Sequence, residues 1–403
     1  MRRLLSTITG LEYPFERLEE FAENGEALEV AMDSIERARP RAGAHLWERF
    51  AEFLPFKAMD PSASLGEGNT PLLDAAGCLK AFTGIERLLL KNETQNPTWS
   101  FKDRGSLACI FMAQELGEKT TATVSTGNMG HSISAYAARA GIRPVVFVPD
   151  FAPREKLASM TIHGATVIKV HAPDYALMKK TVLDLAKEFN LRIVSGNGPI
   201  RTEGYKLTAF EMLEQMGGEA PDFIAVPTSA CGHIRGLFKG YRELLSAGLV
   251  RRLPRMIVVQ AANNSPIASA VKRGLTHVVP FSNFHTVAEA ITTGNPMGGD
   301  EIIDKARKHG WLAEDVTEAE ILEAQRLFAQ GGCFVEPASA TTLPAVRKLR
   351  AAGRIAPGES VVLMLTGAGL KDFAALSQQP FGVIESNVDR VRGDLEEALR
   401  AGT

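Results

Sequence analysis

Short apolar runs alternate with longer stretches of helical spacing along most of this chain. Two of the longer stretches, residues 175–189 and 317–329, repeat apolar positions at the three- and four-residue spacing of an amphipathic helix. Continuous apolar strands between such helices are typical of a parallel sheet covered on both faces. The pattern therefore predicts an α/β protein. The apolar runs are residues 87–90, 121–124, 144–148, 166–170, 192–194, 223–226, 256–259 and 361–365.

Three of these runs end in small or polar residues that suit a ligand. In parallel sheets, ligands bind beyond the carboxyl ends of the strands, so we expect the site at these endings. At the first of them, Gly127 and Gly130 let backbone N–H groups approach a ligand at the start of a helix. The second offers small residues but a single glycine, which is a weaker signal. The three endings are residues 125–130, 227–233 and 366–372.

Lys102 stands at the predicted start of another helix. Pro97 stops the preceding chain from continuing as helix, Ser100 is the predicted N-cap, and Asp103 follows it in the capping-box position. A helix N-terminus disfavours a cation and so lowers the pKa of the amine, as a lysine that forms a Schiff base requires. The alternative is an ordinary solvated surface lysine.

Three polar side chains at the strand endings admit both structural and chemical roles. Asn128 either hydrogen-bonds a ligand oxygen or takes the left-handed conformation of a tight turn. His233 serves as an anion ligand, as a general acid or as a capping side chain, and capping is the commonest of these. Thr366, at a buried strand end, either satisfies a backbone carbonyl or contacts a ring nitrogen.

The groups singled out above form a set that suits pyridoxal phosphate. They are a lysine amine, two helix starts suited to anions, a side-chain amide and a hydroxyl at a strand end. The aldehyde of this cofactor joins a lysine, its phosphate sits at a helix N-terminus and its ring nitrogen meets a side chain. A dinucleotide site needs no such lysine, and no G-x-G-x-x-G pattern follows any predicted strand. The sequence also holds no Walker A pattern and no cluster with zinc spacing. We therefore expect pyridoxal phosphate as the cofactor and no metal.

Six segments of the chain together form a recognisable set: residues 65–72 (LGEGNTPL), 100–105 (SFKDRG), 125–128 (STGN), 201–206 (RTEGYK), 335–340 (VEPASA) and 365–372 (LTGAGLKD). They resemble the threonine synthase family of fold-type-II pyridoxal phosphate enzymes. The resemblance runs in order from about residue 65 to residue 372. It implies two domains, each with a mostly parallel sheet flanked by helices, with the cofactor in the cleft between them.

The resemblance implies roles for individual residues. Lys102 carries the internal aldimine and later moves protons at the substrate carbon, while Asn128 bonds the phenolic oxygen of the cofactor. Thr366 contacts the pyridine nitrogen, and Arg201 lies near the anionic end of the substrate. Because a neutral hydroxyl does not hold that nitrogen protonated, we expect elimination and replacement rather than transamination. The cofactor phosphate is held by Thr228, Ser229, Ala230, Cys231, Gly232 and His233, and the substrate carboxylate by the loop with Ser125, Thr126, Met129 and Gly130.

The departures from the family pattern fall around the substrate rather than the cofactor. Trp99 adds bulk beside Lys102 where relatives have a small residue, and Met129 stands where threonine synthases have threonine. His233 stands where an asparagine contacts the substrate phosphate. Residues 6–10 lack the cysteine pair of a zinc ribbon. These changes cast doubt on O-phosphohomoserine as the substrate, although the cofactor chemistry is retained.

The first functional hypothesis is therefore a threonine-synthase-like elimination and replacement on a small amino acid with an anionic leaving group. The alternative is a β-replacement or addition enzyme, such as a cysteate synthase. It would act on phosphoserine or a sulfonated three-carbon acid with sulfite or ammonia. A non-catalytic relative that binds pyridoxal phosphate is less favoured, because Lys102 and Asn128 are both present.

Length and charge complete the expectations. The 403 residues suggest an N-terminal extension (1–59), a large cofactor domain (60–95 plus 200–380), a small domain (96–199) and a C-terminal helix (381–403). The net charge of −2 excludes a dominant attraction to nucleic acid or to an anionic membrane. Four scattered cysteines indicate a reducing compartment, and no run reaches membrane-spanning length. We expect a cytoplasmic enzyme with a small-molecule amino-acid substrate. Relatives are commonly dimers, which makes a homodimer one candidate assembly, but nothing in the sequence fixes the oligomeric state.

Overall fold

The strands of the chain form three sheets. The computed structural model describes residues 1–125, 127–150, 152, 154–172, 175–282, 285–379 and 383–401. The strands are β1 (Arg2–Ser6), β2 (Glu12–Pro14), β3 (Leu28–Met32), β4 (Leu72–Asp74), β5 (Arg87–Asn92), β6 (Thr120–Val124), β7 (Arg143–Pro149), β8 (Thr166–Val170), β9 (Phe223–Pro227), β10 (Arg255–Ala261), β11 (Leu312–Val316) and β12 (Ser360–Leu365).

Helices connect and cover these strands. They are α1 (Leu46–Arg49), α2 (Gly77–Thr83), α3 (Lys102–Glu115), α4 (Asn128–Arg139), α5 (Arg154–Thr161), α6 (Tyr175–Glu188), α7 (Pro199–Tyr205), α8 (Leu207–Gln215), α9 (Gly232–Ser246), α10 (Pro266–Lys272), α11 (Gly299–His309), α12 (Glu318–Gln330), α13 (Pro337–Ala340), α14 (Thr342–Ala351), α15 (Phe373–Leu376) and α16 (Val391–Ala401).

The largest sheet has six strands in the order β11-β10-β9-β12-β5-β4. Its neighbours pair in parallel, except that β4 runs antiparallel to β5. Every residue of β9 and β12 is buried, which explains why both strands are apolar without alternation. The two strands lie side by side in parallel and end immediately before Thr228 and Thr366. Both residues therefore lie at the same edge of the sheet.

A second parallel sheet has the order β6-β7-β8, and helix α4 follows β6. The first 32 residues add a small antiparallel sheet of order β2-β1-β3. This sheet packs against the main body of the protein. Its Leu4 and Leu28 belong to the same buried apolar core as Phe210 on α8 and Phe238 on α9. The α/β class, with mostly parallel sheets flanked by helices, is confirmed.

Two predicted elements differ from the structure. Residues 192–194 do not form a strand: Ile193 makes a single parallel bridge to Ala122, and the chain then turns into loop 195–198. The glycines of that loop, Gly196 and Gly198, do not continue a strand. The C-terminal helix predicted over 381–403 begins only at Val391. Within the described ranges, no helix combines the length and the apolar character that crossing a bilayer requires.

Candidate active site

Lys102 is the first residue of α3 and is largely buried. Its Nζ lies 4.3 Å from the centre of the Phe101 ring and 5.8 Å from the centre of the Tyr205 ring. Burial, reinforced by the charge of Arg201 and opposed by Glu336, lowers the pKa of the amine to about 7. The predicted lowering is confirmed, but burial rather than the helix terminus is its leading cause. A large share of the amine is therefore nucleophilic at neutral pH.

A buried ion-pair network holds the start of α3. Arg104 Nε lies 2.7 Å from Glu93 Oε2, and its Nη1 lies 2.9 Å from Glu211 Oε2. Lys91 Nζ is 2.5 Å from Glu211 Oε1, and the Thr70 hydroxyl donates to Glu93 at 2.8 Å. All five side chains are buried. Each carboxylate thus faces a cation where an unpaired charge would be costly.

The predicted N-cap at Ser100 is wrong. Phe101 precedes the first helical residue, and no side chain caps α3. The Asp103 carboxylate instead accepts hydrogen bonds from the Thr98 amide and the Ser132 hydroxyl, both at 2.6 Å. Because Ser132 belongs to α4, Asp103 ties the lysine helix to the helix of the neighbouring loop. The buried Ser100 hydroxyl has no partner among the described residues.

Asn128 begins α4, and the loop before it folds back on Ser125. The Ser125 hydroxyl oxygen accepts hydrogen bonds from the amides of Gly127 (3.3 Å) and Gly130 (3.1 Å). No side chain caps the helix, so the remaining amides of its first turn suit an anion. Thr126, which was predicted to bind the substrate carboxylate, lies outside the described residues.

Three loops meet around Gly196. A Cβ built on this glycine would lie 3.6 Å from Met129 Sδ and 3.7 Å from Ala230 Cβ. A Cβ built on Gly232 would lie only 2.1 Å from the Gly196 carbonyl oxygen. Loop 195–198 thus packs between the predicted substrate loop and the predicted phosphate turn, and the close approach depends on the glycine at position 232.

Helix α9 begins directly after the turn that follows β9. Cys231, just before the helix, has a left-handed φ of 71°, and no side chain caps the helix. Two hydroxyls of the turn are already engaged. Thr228 Oγ1 donates to the Val226 carbonyl, and Ser229 Oγ lies 2.8 Å from Thr293 Oγ1. Because these hydroxyls are engaged, an anion bound at this turn would be held mainly by the backbone amides of the helix start.

We expect Gly232→Ala to weaken cofactor binding at least about tenfold and to destabilise the fold by ~1–3 kcal/mol. The added Cβ collides with the Gly196 carbonyl and forces the two loops apart. Cofactor affinity by fluorescence titration and unfolding in urea measure the two effects. Gly358→Ala is the matched control, because a Cβ there meets nothing within 4 Å. Equal behaviour of the two variants would refute the close packing.

His233 lies in the first turn of α9 and stacks on Phe101, with ring centres 3.9 Å apart. Both of its ring nitrogens are buried and have no partner among the described residues. Burial, together with the charge of Lys102, lowers the pKa of His233 to about 3. Its imidazole is therefore neutral at physiological pH and offers one donor and one acceptor rather than a positive charge.

Glu336 joins two of the predicted cofactor residues. Asn128 Nδ2 donates to Glu336 Oε2 at 2.8 Å, and Thr366 Oγ1 lies 2.9 Å from Glu336 Oε1. Burial raises the pKa of Glu336, although its two hydrogen bonds and the charges of Lys371 and Lys102 oppose the rise. The sequence analysis assigned Glu336 no role. Its position within the matching segment 335–340 was the one feature of the sequence that could have indicated a role.

Arg201, on α7, is only 1% exposed, and its Nη1 lies 3.3 Å from Ser106 Oγ. Its Nε and Nη2 form no hydrogen bond of normal geometry in the part of the chain that the structure describes, although the Tyr205 side chain interacts with the guanidinium. Buried polar groups are nearly always satisfied, and a guanidinium with free N–H groups has the donor geometry that suits an anion. Glu20 of the N-terminal segment lies within its electrostatic influence and accepts a hydrogen bond from the Ser195 amide at 3.0 Å.

Trp99 faces outward. Its side chain is 55% exposed, and its φ of 62° is unusual for a bulky residue. Its backbone is held on both sides: the amide bonds the Asn96 carbonyl at 2.7 Å, and its carbonyl accepts from the Ala368 amide at 3.0 Å. Trp99 therefore lies at the surface beside Lys102 rather than filling the interior of the site.

Residues 63–367 match the protein family described as "Pyridoxal-phosphate dependent enzyme". The fold and the lysine-centred site thus define an enzyme of this class. Threonine synthase of Methanocaldococcus jannaschii is 38% identical over 374 residues, which cover 90% of this chain and 91% of that protein. Threonine synthase of Synechocystis sp. is 37% identical over 367 residues, covering 89% and 91%. The chain belongs to the threonine synthase family.

Solved structures share the fold at lower identity. The serine racemase of Dictyostelium discoideum superposes with a TM-score of 0.63 at 24% identity, covering 75% of this chain and 92% of that chain. The processed form of threonine deaminase isoform 2 from Solanum lycopersicum gives a TM-score of 0.67 at 18% identity, covering 85% and 94%. Fold type II is confirmed, as are the family resemblance and the expectation of a pyridoxal phosphate enzyme of the carbon–oxygen lyase type.

The residues at the site fit this cofactor. Lys102 supplies an amine of lowered pKa, and the uncapped start of α9 suits a phosphate. Buried polar atoms of Ser100, His233 and Arg201 lack partners among the described residues, as expected where a polar cofactor and substrate bind.

Proposed function

We propose that this enzyme converts O-phosphohomoserine and water into threonine and inorganic phosphate. The observation that supports this substrate most directly is Arg201, a buried cation close enough to Lys102 to add to the lowering of the pKa of the amine. Two of its nitrogens form no hydrogen bond of normal geometry within the described residues. A guanidinium fork of this kind suits a phosphate oxygen pair. The leaving phosphate of the substrate is the group that would satisfy it.

Four sets of residues would hold the cofactor. Lys102 binds its aldehyde, the turn of residues 228–233 binds its phosphate, Asn128 its phenolic oxygen and Thr366 its ring nitrogen. Bound pyridoxal phosphate supplies an electron sink for negative charge that develops on substrate carbons. Support for this assignment comes from the shared sheet edge of Thr228 and Thr366 and from the contact of Glu336 with both Asn128 and Thr366.

Lys102 is proposed to move protons at the substrate carbons. A pKa of about 7 lets one amine accept and return a proton near neutral pH with little energetic bias. The uncapped start of α4, beside Ser125, is proposed to hold the substrate carboxylate. The reaction breaks the carbon–oxygen bond to phosphate, and water supplies the hydroxyl of threonine.

Product analysis tests this function. Enzyme loaded with cofactor is incubated with O-phosphohomoserine, and threonine and phosphate are quantified by NMR. One threonine per phosphate supports the proposal. No turnover of this substrate, together with sulfite-dependent turnover of O-phosphoserine, would refute it and indicate a cysteate-synthase-like reaction.

We expect Met129→Thr to raise the rate of threonine formation about tenfold, the effect of one well-placed hydrogen bond. Met129 Sδ lies against loop 195–198, where three loops meet and where a hydroxyl could orient water. Met129→Leu is the control, because it keeps an apolar side chain of similar size. If neither variant increases the rate, Met129 does not distinguish this enzyme from relatives with threonine.

We further propose that the enzyme acts in the cytoplasm as a homodimer. Its four cysteines are free thiols, two of them buried, which supports a reducing compartment. Sedimentation velocity on the loaded enzyme would test the oligomeric state.

A further inference from the structure

A chain of hydrogen bonds links the backbone after β12 to Asn128. The Ser339 hydroxyl oxygen accepts from the amides of Thr366 (2.8 Å) and Gly367 (3.2 Å). Ser339 Oγ lies 2.8 Å from Thr366 Oγ1, which lies 2.9 Å from Glu336 Oε1. The other Glu336 oxygen accepts from Asn128 at 2.8 Å. Ser339, Thr366 and Glu336 are all buried, so no bulk water competes for these bonds.

The direction of each bond can be worked out by counting donors and acceptors. A hydroxyl has one proton and two lone pairs. Both lone pairs of Ser339 are occupied by backbone amides, so its proton must go to Thr366. Thr366 then keeps one lone pair and its own proton for its remaining partners.

The protonation state of Glu336 decides which atom accepts the hydrogen bond from the Thr366 hydroxyl. Opposite an ionised Glu336, Thr366 must donate to the carboxylate, and it then has only a lone pair to offer elsewhere. Opposite a protonated Glu336, the carboxylic acid donates from Oε1 to Thr366, and the Thr366 proton is released for a third partner. An unprotonated pyridine nitrogen accepts a hydrogen bond only in the second case.

We propose that Glu336 takes up a proton when the cofactor binds, so that Thr366 can donate its hydroxyl proton to an unprotonated ring nitrogen. The proposal rests on the proposed placement of Thr366 at that nitrogen. Glu336 is then a positioning residue, which acts on the cofactor through Thr366 and keeps the ring neutral. A neutral ring is a weaker electron sink, which favours elimination and replacement over transamination.

The surroundings of Glu336 agree with this direction. Burial raises its pKa, and the cations that face it, Lys102 from α3 and Lys371 from the turn after β12, act against the rise. Lys371 Nζ itself donates to the Thr98 carbonyl at 2.6 Å. Burial lowers the pKa of Lys102, and the charge of Arg201 adds to this lowering. Burial also lowers the pKa of Lys371, and the charge of Asp103 opposes that lowering. The pKa of His131 is lowered by burial and by the charge of Lys371.

The proposal predicts how cofactor affinity depends on pH. Because binding takes up one proton at Glu336, affinity falls by an additional tenfold per pH unit wherever free Glu336 is ionised. Titration of Lys102 and of the cofactor phosphate also contributes to the measured slope. Because the charge of Glu336 opposes the lowering of the Lys102 pKa, a change at Glu336 also shifts the titration of Lys102. The slopes are therefore compared well above the Lys102 pKa of about 7, where the amine is unprotonated in both proteins.

Glu336→Gln is the decisive variant. Its amide oxygen can accept from Asn128 while its N–H donates permanently to Thr366, as a protonated Glu336 would. We expect this variant to bind pyridoxal phosphate at least as tightly as the wild type, with a pH slope smaller by one proton. Fluorescence titration across neutral to alkaline pH gives the affinities. Calorimetry in two buffers of different ionisation enthalpy counts the protons directly.

An unchanged slope in Glu336→Gln, or loss of its cofactor in a folded protein, would overturn the proposal. Should this variant not fold, Thr366→Val and Thr366→Ser decide. The valine variant removes the hydroxyl and must lose the one-proton uptake, whereas the serine variant must keep it. If both keep it, Thr366 does not link Glu336 to the cofactor. Failure of the wild type to form threonine, with the proton uptake intact, would refute only the proposed substrate.

Discussion

Replacement of Lys102 by alanine removes covalent attachment of pyridoxal phosphate and lowers turnover roughly a thousandfold or more. The reason is that one amine serves as both the attachment point and the proposed proton carrier. The visible absorption band of the loaded enzyme should disappear, and phosphate release should fall to near background. Lys102→Arg keeps the positive charge but not the nucleophile, and it should be as inactive as the alanine variant.

The pH dependence of cofactor attachment gives a second measure of Lys102. Its lowered pKa means that the reactive, unprotonated amine increases as pH rises through about 7 and levels off above it. The rate of attachment should follow this curve. A rate that continues to rise towards the ordinary lysine range would contradict the buried environment of the amine, and an active arginine variant would contradict its role as nucleophile.

The second large effect is on stability. Arg104→Met should lower the free energy of unfolding by ~3–5 kcal/mol, because it leaves Glu93 and Glu211 as buried carboxylates without their main cation. Urea unfolding monitored by circular dichroism measures the loss. Arg307→Met is the control: its ion pair with Asp304 is at the surface, and we expect a change of at most about 0.5 kcal/mol.

Cofactor affinity of Arg104→Met follows from the same network. Arg104 holds the start of α3 two residues after Lys102, so the variant should also bind pyridoxal phosphate more weakly. A variant as stable as the wild type would show that the remaining pairing of Lys91 with Glu211 is sufficient. In that case the network would not be what fixes the position of Lys102.

Local patterns predicted most of the fold. The unbroken apolar runs of β9 and β12 correspond to strands that are buried along their whole length, and their endings mark the sheet edge at the site. Residues 192–194 were misread because a short apolar run does not reveal whether a pairing partner continues beyond one bridge. Tertiary context, rather than propensity, decides such cases.

Within the candidate site, the position of a residue along its helix was predictable, whereas contacts between distant segments were missed. Lys102 lies at a helix start, as predicted. Ser100 was misassigned as the cap because Asp103 is drawn to Thr98 and to Ser132 on another helix. The role of Glu336 depends on Asn128, 208 residues away in sequence, and no local pattern encodes that contact.

Peptide mapping of the loaded enzyme tests the central claim most directly. Borohydride reduction fixes the cofactor to the amine that holds it, and digestion with mass spectrometry identifies the residue. The competing amine is Lys371, whose pKa burial lowers to about 8 and which lies 3.3 Å from His131 Nδ1. We predict the pyridoxyl group on Lys102. Its recovery on Lys371, or on no lysine at all, would contradict the site described above.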